Sequence, residues 1–218
     1  MKKILRIVIT GGPCGGKTTA LDNISKILEE EGYTVFKVNE TATELISTNV
    51  KPFGKEEDKL PLLKFQWMVL KTQLAKEYVR DFAAEACDND KVVILCDRGI
   101  LDNRAYITHE EFQKLADLEG ITEQEILDRY QLVLHLTTAA LGKEEYYTLF
   151  NNVARTETIE EAREVDRKTV AAWYNHPNRY IFENDCLFEE KMERVEKVVR
   201  DFIKNEKEKD IKVKKLIR

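Results

Sequence analysis

Hydrophobic and polar positions alternate in blocks along the chain. Segments with apolar residues three and four positions apart predict helices, and short apolar or β-branched runs between them predict strands. The predicted strands are Ile4–Thr10, Tyr33–Asn39, Val92–Asp97, Leu132–Thr137 and Arg179–Glu183. Strands that alternate with helices usually form a parallel sheet with helices on both faces. The pattern therefore predicts an α/β fold with three layers and a five-stranded parallel sheet in the middle.

Two apolar stripes predict the helix faces that pack on this sheet. The long helical segment after the second strand opens at Pro61 and carries Leu63, Trp67, Leu70, Leu74, Tyr78 and Phe82. The last helix carries Phe188, Met192, Val195, Val199 and Phe202. We expect both stripes to pack on the core, and we interpret their aromatic side chains as core residues rather than a platform for a ligand.

Composition limits the classes of protein to which the chain can belong. Its 218 residues, 43% of them hydrophobic, suit a single domain over residues 1–218. The 35 basic and 40 acidic side chains are mixed along the sequence, so we expect no stable nucleic-acid partner. No apolar stretch approaches the roughly 20 residues that span a bilayer.

The tail over residues 204–218 is basic. We interpret it as a solvated extension of the last helix, with contact to RNA, a phosphate-rich ligand or an acidic membrane as the alternative. The four cysteines, Cys14, Cys87, Cys96 and Cys186, form no C-x-x-C pair, which favours reduced thiols and a cytoplasmic protein. The oligomeric state stays open, a dimer included.

The segment Gly11–Thr18 matches the motif G-x-x-x-x-G-K-[ST] between the first predicted strand and the first predicted helix. In such a phosphate-binding loop (P-loop), glycines let backbone N–H groups surround the phosphates, and the helix dipole adds positive charge. Lys17 should reach the β- and γ-phosphates, and the hydroxyl of Thr18 should bind Mg²⁺. The predicted nucleotide-binding residues are Gly11, Gly12, Pro13, Cys14, Gly15, Gly16, Lys17, Thr18 and Thr19.

These residues predict ATP and Mg²⁺ as cofactors. An N-K-x-D base reader is missing from the sequence, which weakens the case for guanine, and GTP stays open as an alternative. A second signal is Asp97, which ends the apolar strand Val92–Asp97 at the sheet edge where ligands of open α/β folds bind. We expect its carboxylate to hold the Mg²⁺ through a water, the alternative being an aspartate that caps the next turn.

Three segments together resemble a known family. These are ITGGPCGGKTT at the P-loop, NETATELI after the second strand and CDRGILDNRAY after the third. The chain resembles the small P-loop kinases and ATPases related to nicotinamide riboside kinase and, more distantly, deoxynucleoside and nucleoside monophosphate kinases. Residues 155–166 are similar to the arginine-bearing lid that such kinases close over ATP, which implies a lid at about 139–168.

Candidate catalytic residues follow from phosphoryl transfer to a small-molecule acceptor. Glu40 ends the second strand and could take the proton of the acceptor hydroxyl, the role that the resemblance to deoxynucleoside kinases also implies; the alternative is a surface glutamate that caps the helix starting near Thr41. Asp102 is a competing base or hydroxyl ligand, or simply a carboxylate at a helix N-terminus. Gln66 and Gln73 lie on the helix that lines the acceptor cleft in such kinases, and exposed helix glutamines are common.

Negative charge that builds on the transferred phosphoryl group calls for cations besides Lys17. The candidates are Arg98, Arg155 and Arg163. We expect at least one of the latter two to reach the phosphates, the alternative being solvated arginines.

Three functional classes remain. The sequence favours a kinase that moves the γ-phosphoryl group of ATP to a nucleoside, a nucleotide or a similar hydroxyl compound. A nucleotide-dependent regulatory switch would use the same pocket. A nucleic-acid end kinase or motor is supported only by the basic tail, and a large AAA-type motor is disfavoured because no room is left for an α-helical lid domain and a trans arginine finger.

Overall fold

The computed structural model describes residues 2–52, 59–147 and 158–216, with the backbone alone at 59, 60 and 210–216. In this part of the chain, five strands form one parallel sheet: β1 (Ile4–Thr10), β2 (Thr34–Val38), β3 (Val92–Asp97), β4 (Leu132–Leu136) and β5 (Arg179–Phe182). Their order is β2-β3-β1-β4-β5. The first strand therefore lies in the middle, between β3 and β4.

The register of the central strands brings distant residues to one edge of the sheet. Ile9 of β1 lies opposite Asp97 of β3, and Thr10 of β1 lies opposite His135 of β4. Because parallel strands end at the same edge, the loop after β1 is flanked by the carboxyl ends of both neighbours.

Helices cover both faces of the sheet. The described helices are α1 (Lys17–Glu30), α2 (Thr41–Ser47), α3 (Lys59–Ala86), α4 (His109–Leu118), α5 (Glu123–Arg129), α6 (Ile159–Ala172) and α7 (Phe188–Leu216), with 3₁₀ helices at Ile100–Ala105 and Glu144–Tyr146. One apolar core joins the sheet to α1 and α7. A second core joins the opposite face to α3, α4 and α5, and Trp173 at the end of α6 belongs to it. The predicted three-layer α/β fold with a five-stranded parallel sheet is confirmed.

Local sequence signals explain where several helices begin. Helices α4, α5 and α6 each start with a capping box, in which a threonine side chain and a glutamate three residues later satisfy each other's free backbone N–H groups. The pairs are Thr108 with Glu111, Thr122 with Glu125, and Thr158 with Glu161.

The predicted strands are confirmed, with β1 and β3 at the predicted bounds and the others ending within a residue or two. The predicted face of α3 is confirmed only in part, since Leu70 and Leu74 are buried in the core and Leu63 packs against it. Its Trp67, Tyr78 and Phe82 are 36%, 50% and 71% exposed. The buried face also carries polar residues, among them Gln73 and Glu77, which hydrogen-bond each other at 2.9 Å.

The stripe predicted for the last helix is confirmed for Met192, Val195, Val199 and Phe202, which are buried. Its first member, Phe188, is 46% exposed. None of the described helices combines the length and apolar composition needed to cross a bilayer.

Candidate active site

The loop after β1 folds back sharply to start α1. Gly11 has φ +133° and Gly16, the N-cap of α1, has φ +93°, conformations that side chains larger than glycine rarely adopt. A Cβ at Gly11 would lie 2.0 Å from the carbonyl oxygen of Leu136 in β4. These glycines therefore let the loop lie directly against β4 and aim the N-terminus of α1 into the space above the sheet.

Lys17 opens α1 and folds back over the loop. Its buried Nζ donates hydrogen bonds to the carbonyl oxygens of Gly11, at 3.2 Å, and Gly12, at 2.8 Å. Thr18 and Thr19 are exposed beside it. The geometry places a cation and two hydroxyl groups at the positive end of the α1 dipole, where anions bind readily.

Asp166 of α6 holds the other side of the loop. Its Oδ1 accepts hydrogen bonds from the backbone N–H of Gly12, at 2.8 Å, and of Thr138, at 3.0 Å, and it lies 3.2 Å from Nε2 of His135. Burial would raise the pKa of this carboxyl group, but His135 and the two N–H donors outweigh burial and lower it. The sequence gives no sign of this role, because Asp166 and Gly12 lie 154 positions apart in the chain.

Lys191 of α7 hydrogen-bonds to three separate segments of the chain around the P-loop. Its Nζ donates to the Gly15 carbonyl at 3.4 Å, the Thr137 carbonyl at 3.1 Å and Oδ1 of Asn184 at 2.8 Å. Burial lowers the pKa of Lys191 to about 8, against the opposing pull of the Asp166 carboxylate. Sequence reasoning missed this lysine as well, since it is one of many on a charged helix.

Asp97 ends β3 next to the loop, as predicted. Its Oδ1 is buried without a hydrogen-bond partner among the described residues. Burial, together with the nearby Glu40 carboxylate, raises the pKa of Asp97 to about 6. A buried carboxylate oxygen that lacks a donor is suited to a cation or to a water that a cation binds.

Glu40 and Arg98 form an ion pair at the carboxyl ends of β2 and β3. Thr43 donates a further hydrogen bond to Oε2 of Glu40 at 2.8 Å. Burial would raise the pKa of Glu40, but the charges of Arg98 and Lys17 prevail and lower it to about 2. Glu40 is therefore ionised throughout the physiological range.

Arg98 occupies a left-handed backbone conformation, with φ +69°. Its guanidinium also donates to the Gly11 carbonyl at 3.2 Å and lies 3.5 Å from Oδ2 of Asp102. One arginine thus connects the P-loop to carboxylates on two other segments, at the cost of an uncommon backbone geometry.

Asp102 is buried in the 3₁₀ helix after β3. Thr10 donates to its Oδ2 and Trp173 Nε1 donates to its Oδ1, both at 2.6 Å. Since both carboxylate oxygens already accept hydrogen bonds inside the protein, the contacts favour the structural alternative for Asp102 over a role as base.

Among the cavities lined by described residues, two meet at the P-loop. The larger has a volume of about 740 Å³ and is lined by residues 14–19, Asp97, Lys143, Tyr146, Phe188 and Lys191, among others. The smaller, of about 330 Å³, is lined by Phe65, Gln66, Val69, Arg98 and Asp102, among others. Lys17 and Glu40 line both cavities and so mark the boundary between them.

Comparison with known protein families shows the family to which the chain belongs. A sequence model of the AAA_28 family, described as an AAA domain, matches residues 6–191, from β1 to the start of α7. The chain belongs to the AAA_28 family. The match supports nucleotide binding and NTPase-type chemistry in a P-loop fold, and the family description names no substrate. A search of curated proteins found no match.

The other predicted site residues of this AAA_28 chain are placed as follows. Gln66 is 5% exposed on α3 and lines the smaller cavity. Arg163 on α6 donates to the Ala140 carbonyl and to Oε1 of Glu144, both at 2.7 Å. Arg155 and part of the predicted lid, residues 148–157, lie outside the described residues.

The AAA_28 site can be tested for its fit to Mg²⁺. No described group of three or more His, Cys, Asp or Glu side chains forms a metal cluster. Magnesium in phosphoryl-transfer sites needs few protein ligands, because phosphate and water oxygens supply the rest. Thr18 and Asp97 both line the larger cavity, and the Thr18 hydroxyl together with the unpartnered Asp97 Oδ1 fits that requirement.

Proposed function

We propose that the chain is an Mg²⁺-dependent ATP phosphotransferase that acts on a hydroxyl group of a nucleoside, a nucleotide or a similar small molecule. The observation that carries the proposal is the pair of cavities with a common wall of Lys17 and Glu40. A nucleotide hydrolase needs one pocket and a water. A second pocket that opens onto the phosphate-binding lysine gives room for an acceptor.

The larger cavity is the proposed ATP site. Its floor is the P-loop with the N-terminus of α1, and Lys17 lies where it can exchange its bonds to loop carbonyls for phosphate oxygens. Thr18 and Asp97 would hold Mg²⁺, which when bound neutralises charge on the phosphates. The free oxygen and raised pKa of Asp97 support that role.

The smaller cavity is the proposed acceptor site, with Glu40, Gln66 and Arg98 as its binding residues. A carboxylate with a pKa of about 2 is a weak base. In a loose phosphoryl-transfer transition state the hydroxyl proton leaves late, so Glu40 can orient the hydroxyl by accepting its hydrogen bond and take the proton as transfer completes. Arg98 holds that carboxylate in place and contributes positive charge beside the reacting phosphoryl group.

The lid at about 139–168 and the single-domain organisation also belong to this proposal. Arg163 is engaged by Ala140 and Glu144, so its approach to the phosphates would require these contacts to break. Arg155 stays a prediction from the sequence.

The four cysteines are free thiols, which supports a cytoplasmic location.

A second candidate is a regulatory NTPase that has no small-molecule acceptor. The low pKa of Glu40 and its tight pairing with Arg98 favour it, because a carboxylate held this way can serve as a structural anchor of the nucleotide site. ATP and GTP are both open as the nucleotide for either candidate.

An acceptor screen with labelled nucleotide tests the proposal. Purified protein is incubated with γ-labelled ATP, Mg²⁺ and a panel of nucleosides, nucleotides and vitamins, and phosphorylated products are separated. For an accepted compound, Glu40→Gln should keep nucleotide affinity and lower kcat by about 10²–10⁴. Glu44→Gln, on the helix that Glu40 precedes and with an exposed carboxylate paired with Lys76, is the matched control and should leave kcat unchanged.

The two candidates give opposite results. If no compound in the panel is phosphorylated and Glu40→Gln leaves slow hydrolysis untouched, the regulatory NTPase is the correct function. If phosphoryl transfer occurs and Glu40→Gln does not slow it, the protein is a kinase but Glu40 has no part in the chemistry.

A further inference from the structure

Helix α3 has an apolar face that points away from the core. Every seventh residue from Leu70 is fully buried against the sheet, namely Leu70, Glu77 and Ala84. On the opposite side, at alternating spacings of four and three, lie Met68, Thr72, Ala75, Val79, Phe82 and Ala86. We call these six residues the α3 seam.

The seam is open in the described structure. Met68, Val79 and Phe82 are among the exposed large hydrophobic side chains, and Val79 is 59% exposed. Ala75 and Ala86 are exposed and Thr72 is half-buried. Residues beside the seam contact the body of the protein instead: Arg80 donates to the Lys37 carbonyl on one side, and the Arg129 guanidinium lies over the Tyr78 ring on the other.

The spacing of the seam is that of a coiled coil. Apolar residues that repeat every 3.5 positions keep one stripe of a helix facing a partner helix, whereas packing on a sheet needs no such repeat. The seam spans 19 residues, or about 28 Å of helix. A helix of this kind buries one face in its own domain and offers the other to a second helix.

Side-chain size selects the partner and its direction. If two copies of α3 pack antiparallel, Met68 meets the partner's Ala86, Thr72 meets the partner's Phe82, and Ala75 meets the partner's Val79. Each bulky residue then faces a small one, which fills the space between the helices evenly. In a parallel pair, each residue would face its own copy, so that two Phe82 side chains crowd one layer while two alanines leave a gap in another.

Charge agrees with the antiparallel arrangement. Lys71 and Glu85 flank the seam on the same edge, and in an antiparallel pair this edge lies against its own copy in reverse order. Lys71 then lies beside the partner's Glu85, and Glu85 beside the partner's Lys71. Both side chains are exposed, and the Nζ of Lys71 also lies 3.4 Å from Oε1 of Glu119 in its own chain.

We propose that the chain forms a twofold-symmetric homodimer through antiparallel packing of the α3 seam against the same seam of a second copy. Such an interface is isologous, so it closes at two subunits. The proposal is independent of the kinase assignment, since it rests on α3 alone.

Sedimentation equilibrium of the full chain over a wide concentration range tests the dimer. The wild type should fit a monomer–dimer equilibrium. Val79→Glu places an unpaired charge in the interface twice and should raise the dimer Kd by about 100-fold or more. Tyr174→Glu, at a residue that is 75% exposed away from the seam, should leave it unchanged.

A charge exchange tests the direction. Lys71→Glu and Glu85→Lys should each raise the dimer Kd by about 5- to 30-fold, because two like-charged pairs replace two ion pairs. The double variant restores opposite charges and should return the Kd close to that of the wild type. Circular dichroism should show unchanged helix content throughout, since the substituted positions are exposed.

Two results would overturn the dimer through the α3 seam. One is a wild type that stays monomeric at the highest concentrations. The other is a dimer whose Kd does not respond to Val79→Glu, which would place the interface elsewhere. Failure of the double charge variant to recover would overturn the antiparallel arrangement.

Discussion

At the scale of single residues, the charges around the P-loop are unevenly paired. Lys17 and Arg98 provide two cations. Their positive charges lower the pKa of the Glu40 carboxyl group to about 2. Asp97 lies in the same region with a raised pKa of about 6 and one oxygen without a partner. A further cation near Asp97 would stabilise its ionised carboxylate. Mg²⁺ that binds together with a nucleotide would be such a cation.

Asp97→Asn should weaken Mg²⁺-dependent nucleotide binding and change its pH dependence. In the wild type, protonation of Asp97 competes with the metal, so binding should fall as the pH drops through about 6. The variant should bind more weakly at pH 7 and show a flatter profile. Calorimetric titrations between mildly acidic and neutral pH measure both, and an unchanged profile would remove Asp97 from the metal site.

Asp97→Asn should weaken nucleotide binding but should make the nucleotide-free protein more stable at neutral pH. A carboxyl group whose pKa is higher in the folded than in the unfolded state contributes most at low pH, and this contribution is lost as the pH rises through about 6. At pH 7, Asp97→Asn should therefore increase the free energy of unfolding, by about 1–3 kcal/mol. Urea denaturation checks the value, and a loss of stability would contradict the raised pKa.

Lys17→Ala should abolish triphosphate binding while the protein stays folded. The ammonium group contacts loop carbonyls that can turn to water, and the proposal gives it the β- and γ-phosphates as its main partners. Equilibrium binding of a labelled ATP analogue should weaken at least about 100-fold. Lys26→Ala, an exposed lysine on the same helix, is the control. Normal affinity in Lys17→Ala would contradict the P-loop assignment.

At the scale of elements, α6 connects the two cavities. Asp166 in its middle holds the P-loop through Gly12, and Trp173 at its end holds Asp102 beside the acceptor cavity. A shift of α6 would therefore change both sites together. The lid predicted at about 139–168 includes Asp166, so we expect a movement of that lid to shift the P-loop through this residue.

Asp166→Ala should destabilise the fold by about 2–4 kcal/mol, because the buried N–H groups of Gly12 and Thr138 lose their acceptor. Asp166→Asn keeps one oxygen as an acceptor and should lose less. Both values come from urea denaturation, with Lys168→Ala on the exposed side of α6 as the control. Equal stability of Asp166→Ala and the wild type would show that water replaces the carboxylate.

At the scale of the whole molecule, the cavities lie where β1, β3 and β4 end and are closed by segments from most of the chain. Ligand binding should therefore stabilise the fold as a unit.

An ATP analogue with Mg²⁺ at about 100 times its Kd should add about 2.7 kcal/mol of stability. For a chain of this length, that corresponds to a rise in Tm of about 5–11 °C. Differential scanning calorimetry measures the shift, and Lys17→Ala should show none. A true acceptor should raise Tm further when added with the analogue. A wild type with no shift at any concentration would count against nucleotide binding to the folded state.

The sequence by itself determined the local features of this protein. The P-loop, the β-branched runs of the strands, the threonine–glutamate capping boxes and Asp97 at the end of β3 all depend on neighbours within a few positions, and local patterns encode such features directly. The catalytic and metal-binding roles stay predictions.

Only the tertiary structure decided which distant residues meet. The sequence could not show that Gln73 and Glu77 share the buried face of α3 with Leu70 and Leu74, because the two polar side chains become acceptable in the core only when their hydrogen bonds form. The contacts of Asp166 with Gly12, Lys191 with Gly15 and Glu40 with Arg98 join segments far apart in the chain. Their energies depend on burial and on neighbouring charges, which exist only once the sheet has brought those segments together.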